Sequence, residues 1–64
     1  LRACRKRLAD EREVPPYVIF HDSVLLEMLH LRPQSLDDMA LISGVGQAKL
    51  ERYGAEFLAV TRDL

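Results

Sequence analysis

The sequence predicts an all-α fold: a compact bundle of about five short helices with a helix-hairpin-helix-like turn at Gly44-Val45-Gly46. Apolar residues recur at helical spacing along most of the chain. Proline, glycine and serine punctuate it at short intervals, so the connections are short. The one stretch that reads as a strand by composition, Val18-Ile19-Phe20, has no second strand to pair with.

The first helix spans residues 1–13, with Leu1, Cys4, Leu8 and Glu11 on one face. Lys6 and Asp10, and Arg7 and Glu11, stand four apart and can pair on its surface. Arg2, Arg5 and Arg12 have no such local partner and flank the apolar stripe, either as a solvated face or as a phosphate-contacting one. Pro15-Pro16 ends this helix, because a residue before proline is pushed out of the α region. Residues 17–20 then form a buried connector or a short helical turn. Asp22 or Ser23 caps a helix to about Leu31 that is apolar almost all round, through Val24, Leu25, Leu26, Met28, Leu29 and Leu31. Such a helix belongs in the middle of a bundle. Arg32-Pro33 closes it. Ser35-Leu36-Asp37-Asp38 resembles a capping box, and the helix it opens turns Leu36, Met39, Ala40 and Ile42 inward as far as Ser43-Gly44. Another helix starts at Gly46 and carries Ala48, Leu50 and Tyr53. Gly54 is read as the glycine that ends it. Residues 55–63 form the last helix, with Phe57, Leu58, Val60 and Leu64 facing in.

Sixty-four residues bound the chain to one domain, and 48% hydrophobic residues suffice for a packed core. No apolar run approaches a membrane span of about 20 residues. The N-terminal segment is charged and has no apolar signal-peptide core. The chain starts at Leu1, which reads as a domain cut from a longer protein. Cys4 is the single cysteine. It excludes an internal disulfide, fits a reducing, cytoplasmic setting, and reads as a small core residue rather than a reactive thiol. The net charge of −1 hides an asymmetry: residues 1–12 hold five basic and two acidic side chains, residues 13–64 four basic and eight acidic.

Catalytic chemistry finds no footing. Cys4, His21 and His30 match no zinc spacing, so no metal is expected. Ser23 and Ser35 are explained as caps and Ser43 as a turn residue, and no nucleophile has a base and an orienting group in evident reach. Gly44-Val45-Gly46 lacks the third glycine and the preceding strand of a dinucleotide loop, so no cofactor is expected. What remains is binding. Gly44 suits the left-handed conformation that ends a helix, and Gly46 leaves free amides at the start of the next. The amides of Gly46, Gln47 and Ala48 can face a phosphate, with Lys49 and Arg52 adding charge, or the same residues simply turn a corner. Tyr17, held by the prolines, either presents its ring to an unstacked base or lies half-buried with its hydroxyl at the surface.

With these residues in place the chain resembles the HRDC domain, the module named for the C-termini of helicases and RNase D. The likeness is nearest to bacterial RecQ-type helicases and runs through nearly all of residues 1–64. Two stretches carry it: Leu8-Ala9-Asp10-Glu11 with Val14-Pro15-Pro16-Tyr17-Val18-Ile19-Phe20-His21-Asp22-Ser23-Val24-Leu25, and Ile42-Ser43-Gly44-Val45-Gly46-Gln47-Ala48-Lys49-Leu50-Glu51-Arg52-Tyr53-Gly54. The resemblance implies a helical bundle, monomeric and not itself an enzyme, that assists an ATP-dependent helicase motor elsewhere in its parent. It implies weak binding of single-stranded or branched DNA through Tyr17, Arg5 and Lys49, joined by Arg2, Arg12 and Arg52. It also implies a bacterial, nucleoid-associated setting.

Two functions follow as expectations. In the first, Tyr17 stacks on a base while the cations hold phosphates. In the second, the acidic excess of residues 13–64 forms a face that docks on the parent helicase core or another protein, with little DNA affinity. A continuous basic patch joining the first helix, Tyr17 and Lys49 favours the first; a broad acidic face favours the second.

Overall fold

A computed structural model describes all of residues 1–64. It contains five helices: α1 (Arg2–Arg12), α2 (Pro16–Ile19), α3 (Asp22–Leu31), α4 (Leu36–Ala40) and α5 (Gln47–Thr61). The expected all-α bundle is what forms, but the count of five arises differently. The proline segment folds as a one-turn helix with Pro16 at its start, a place where proline's missing amide costs nothing. In turn, the two helices expected on either side of Gly54 are one continuous α5.

Gly54 is buried inside α5 because of a neighbour the local sequence does not announce. A Cβ there would lie 3.1 Å from Leu36 Cδ2 and 3.1 Å from Leu50 Cδ1. Glycine here serves close packing of α4 on α5 and outweighs its cost of about 1 kcal/mol in a helix interior. The stripe Leu50, Tyr53, Phe57 and Thr61 faces the core, with Tyr53, Phe57 and Thr61 buried. Thr61 is the one buried polar side chain among them; its hydroxyl donates toward the Pro33 carbonyl at 2.9 Å and the Leu58 carbonyl at 3.1 Å. This ties the end of α5 to the turn after α3.

The core gathers Cys4, Leu8 and Ala9 of α1, Ile19 and Phe20, Val24, Leu25 and Met28 of α3, Met39, Ile42, Val45, and Tyr53 and Phe57 of α5. Cys4 is a core residue, as expected, and burial raises its thiol pKa above the ordinary value, which keeps it protonated and unreactive. Phe20 sits centrally, edge-on to Phe57 at 5.0 Å and to Tyr53 at 6.1 Å between centroids.

Several local expectations are corrected. Neither Asp22 nor Ser23 caps α3; His21 holds the cap position with no side-chain bond, and Asp22 lies in the first turn. Helix α3 is not enclosed: Leu26, Leu29 and Leu31 are 58%, 46% and 62% exposed. A chain of this size has too few helices to surround a central one. Leu36 and Leu64 are also largely exposed, and Ala40 faces solvent. The capping box is real but shifted. Ser35 Oγ accepts from the Asp38 amide at 3.1 Å, while Asp38 Oδ2 accepts from the Gln34 amide at 3.2 Å, one residue before the cap.

The turn before α5 splits its two glycines by role. Gly44 has φ +92°, and a Cβ there would meet Val24 Cγ2 at 2.7 Å. Val45 tucks into the core between them. Gly46 has an ordinary φ of −79° and open space around it, so the sharp turn expected there is made by Gly44 alone. Gly44→Ala is therefore expected to destabilise the domain by roughly 1–3 kcal/mol through backbone strain and overlap. In a Val24→Ala background, Gly44→Ala should cost only the backbone-strain part, a difference readable by urea unfolding.

Candidate nucleic-acid interface

Tyr17 is the exposed end of the rigid segment. Pro15 and Pro16 fix the chain before it, α2 holds it, and the residue is 59% exposed. On one side it stacks with His21, centroids 6.0 Å apart and planes 25° from parallel. One helical turn later Phe20 ends α2, buried, and its ring carries Lys49 Nζ at 5.7 Å from the centroid. Lys49, in the first turn of α5, therefore borders the element that carries Tyr17.

Arg12 and Arg52 extend the cationic side. The Arg12 guanidinium lies over the Tyr53 ring at 4.9 Å, and Tyr53 in turn meets Phe20 edge-on. Arg52 precedes Tyr53 on α5 and is exposed. Arg12, Lys49 and Arg52 pair with no carboxylate, so their charge is available to an incoming anion; the ion pairs of the fold are Arg5–Asp22, Lys6–Asp10, Arg7–Glu11 and Arg7–Glu56. The two pairs expected along α1 are both present.

Arg5 is corrected. It is not a free surface cation: its side chain is only 12% exposed, bonds Asp22 Oδ1 at 2.7 Å and donates to the Phe20 carbonyl at 3.0 Å. It bolts α1 to the α2–α3 junction. The Arg5 guanidinium holds the Asp22 carboxyl below the usual carboxylate range. A depressed carboxylate pKa stabilises the fold above the ordinary Asp range, and that stabilisation fades as pH falls through the lowered value. Arg5 thus holds in place the junction that carries the Tyr17 segment. Arg2 also stands apart. It sits at the opposite end of α1 from Arg12, about 15 Å away along the helix, beside Asp22 in a leucine-lined cleft.

The start of α5 offers donors. No side chain caps it, and the amides of Gly46, Gln47, Ala48 and Lys49 make no hydrogen bond within the chain. Gly46, Gln47 and Ala48 are exposed. Gly44 is exposed as well and its amide makes no hydrogen bond within the chain, while the side on which a Cβ would stand faces Val24. The positive end of a fifteen-residue helix, four free amides and Lys49 form one electropositive corner.

The acidic excess of residues 13–64 is partly neutralised. Asp22 and Glu56 are paired, leaving Glu13, Glu27, Asp37, Asp38, Glu51 and Asp63 without an ion-pair partner. They are spread over all parts of the chain beyond α1. From the sequence His21 stands out only as a histidine that matches no zinc spacing. Its spacing of four from Tyr17 was the available signal, obscured because a helix boundary lies between them.

Residues 1–61 match the HRDC domain family. An ATP-dependent DNA helicase RecQ of Haemophilus influenzae is 44% identical over 63 residues, spanning 98% of this chain and 10% of that protein. The RecQ helicase of Bacillus subtilis is 45% identical over 58 residues, 91% of this chain and 10% of that protein. The ATP-dependent DNA helicase UvrD2 of Mycobacterium tuberculosis is 42% identical over 64 residues, 97% of this chain and 9% of that protein. The chain spans about a tenth of the length of these relatives. The family match and identities of this size over nearly every residue agree with the five-helix fold: the chain belongs to the HRDC domain family.

Proposed function

We propose that this domain is an auxiliary DNA-binding module of a RecQ-type helicase that engages single-stranded or branched DNA weakly and biases which substrates its motor takes up. The observation that carries the reading is Tyr17, a residue 59% exposed on a proline-fixed turn. A large aromatic held open at this cost in exposed apolar surface suits base stacking, which accepts any base. Lys49, Arg12 and Arg52 supply phosphate contacts, and the α5 corner supplies backbone donors. Fluorescence anisotropy with a labelled oligothymidylate at low salt tests it. Two or three phosphate contacts predict a log–log salt slope of about −1.5 to −2 on single strands. Gly46→Asp sharpens the test. The position accepts a side chain, and a carboxylate there caps α5 while repelling phosphate. Stability is expected to rise by about 0.2–0.5 kcal/mol while affinity falls. Unchanged affinity in that variant would remove the α5 corner from the site.

A second reading, docking on the helicase core or another protein, draws support from a different face. A cleft of about 490 Å³ is lined by Leu1, Arg2, Asp22, Leu25, Leu26, Leu29 and Leu64. Under this reading, deleting the domain alters DNA binding and ATP turnover of the parent helicase, and Leu26→Glu with Leu29→Glu reproduces the deletion.

A further inference from the structure

The pairing of His21 with Tyr17 goes beyond a single stacking ring. Centroids 6.0 Å apart with planes 25° from parallel describe rings displaced sideways, not face to face. Such rings form a stepped ledge, and both residues are exposed. The His21 side chain makes no capping bond and no other hydrogen bond; only its backbone carbonyl is engaged, accepting from the Val24 and Leu25 amides, so no hydrogen bond requires an imidazole there. Tyr17 of α2 stacks on it, and the charged groups of the neighbourhood are mixed: Asp22, next on its own helix, carries Arg5 and lies near Arg2, both of α1, and Lys49 of α5 lies over the ring of the preceding Phe20. Asp22 is engaged by Arg5 and is not free to neutralise an imidazolium fully.

We propose that His21 is a second nucleic-acid-contacting residue, which extends the Tyr17 ring into a two-ring ledge for consecutive bases and adds a positive charge facing the phosphate between them when protonated. The proposal rests on the DNA-binding reading of the Tyr17 face. An imidazole can carry its proton as a charge that a phosphate beside it favours. By linkage, a phosphate that favours the imidazolium must itself bind more tightly as pH falls.

The test is titration of the domain with labelled oligothymidylate at about pH 7.5 and about pH 5.5, at constant ionic strength, across which range the phosphodiesters do not titrate but histidine does. Wild type is expected to gain about two- to fivefold in affinity at the lower pH, the size of one exposed charge contact. His21→Phe keeps the ring and removes the charge. It is expected to match wild type within about twofold at the higher pH and to lose the gain. His21→Ala is expected to lose the gain and to bind about fivefold or more weakly at both pH values. His30→Gln, at the far end of α3, should keep the gain. Persistence of the gain in His21→Phe or His21→Ala, or its loss in His30→Gln, overturns the proposal. Absence of any binding by wild type at either pH instead overturns the DNA-binding reading beneath it.

Discussion

Phe57→Ala is expected to destabilise the domain by about 3–5 kcal/mol. Phe57 is fully buried, and its ring meets Phe20 edge-on at 5.0 Å where α5 crosses the α2 segment. Removing it leaves a cavity that Phe20 cannot fill without releasing Tyr53 and the α2 turn. A domain of sixty-four residues has about 3–10 kcal/mol of stability in total, so this single change consumes a large part of it. Urea unfolding reads the loss directly. Phe57→Leu, which keeps most of the volume, should cost less and remain folded. A loss below about 1 kcal/mol for Phe57→Ala would mean that the aromatic cluster is not the keystone of the core.

Tyr17→Ala is expected to do the opposite: leave the fold intact and remove binding. The exposed ring contributes little to packing, so stability should change by less than about 0.5 kcal/mol. Single-strand affinity should fall by about 5- to 150-fold, the worth of one stacked base. Arg5→Ala supplies the mirror image. Its guanidinium joins α1 to Phe20 and Asp22, so its loss should lower stability and disturb binding only through displacement of the Tyr17 segment. Tyr17→Phe should bind nearly as wild type, since the face of the ring and not its hydroxyl carries the contact.

These contrasts also explain what could be read from the sequence. Helix boundaries set by local chemistry were legible: the proline pair, the Ser35 cap and the left-handed Gly44 all act within a few residues of themselves. Gly54 was not, because glycine serves equally to end a helix and to admit a neighbour, and the deciding neighbour, Leu36, is eighteen positions away. Arg5 was misread for the same reason. Its partners, Phe20 and Asp22, become partners only when α1 and the α2–α3 junction pack. The leucines of α3 looked like an enclosed helix because periodicity reports how apolar a face is, not how much chain remains to cover it. Tyr17 was legible as a candidate, but its exposure depended on which way the one-turn α2 was rolled, a matter of Ile19 and Phe20 taking the core.

On the proposed reading the Tyr17 ring, the α5 corner and the cations Lys49, Arg12 and Arg52 form one nucleic-acid-binding face. Amide chemical-shift mapping during titration with a short single-stranded oligonucleotide at low salt tests it most directly. Shifts are expected to concentrate at Tyr17, His21, Gln47, Ala48, Lys49 and Arg12, with Leu26, Leu29 and Leu64 unmoved. Shifts confined to the leucine cleft, or none at millimolar oligonucleotide, would contradict it.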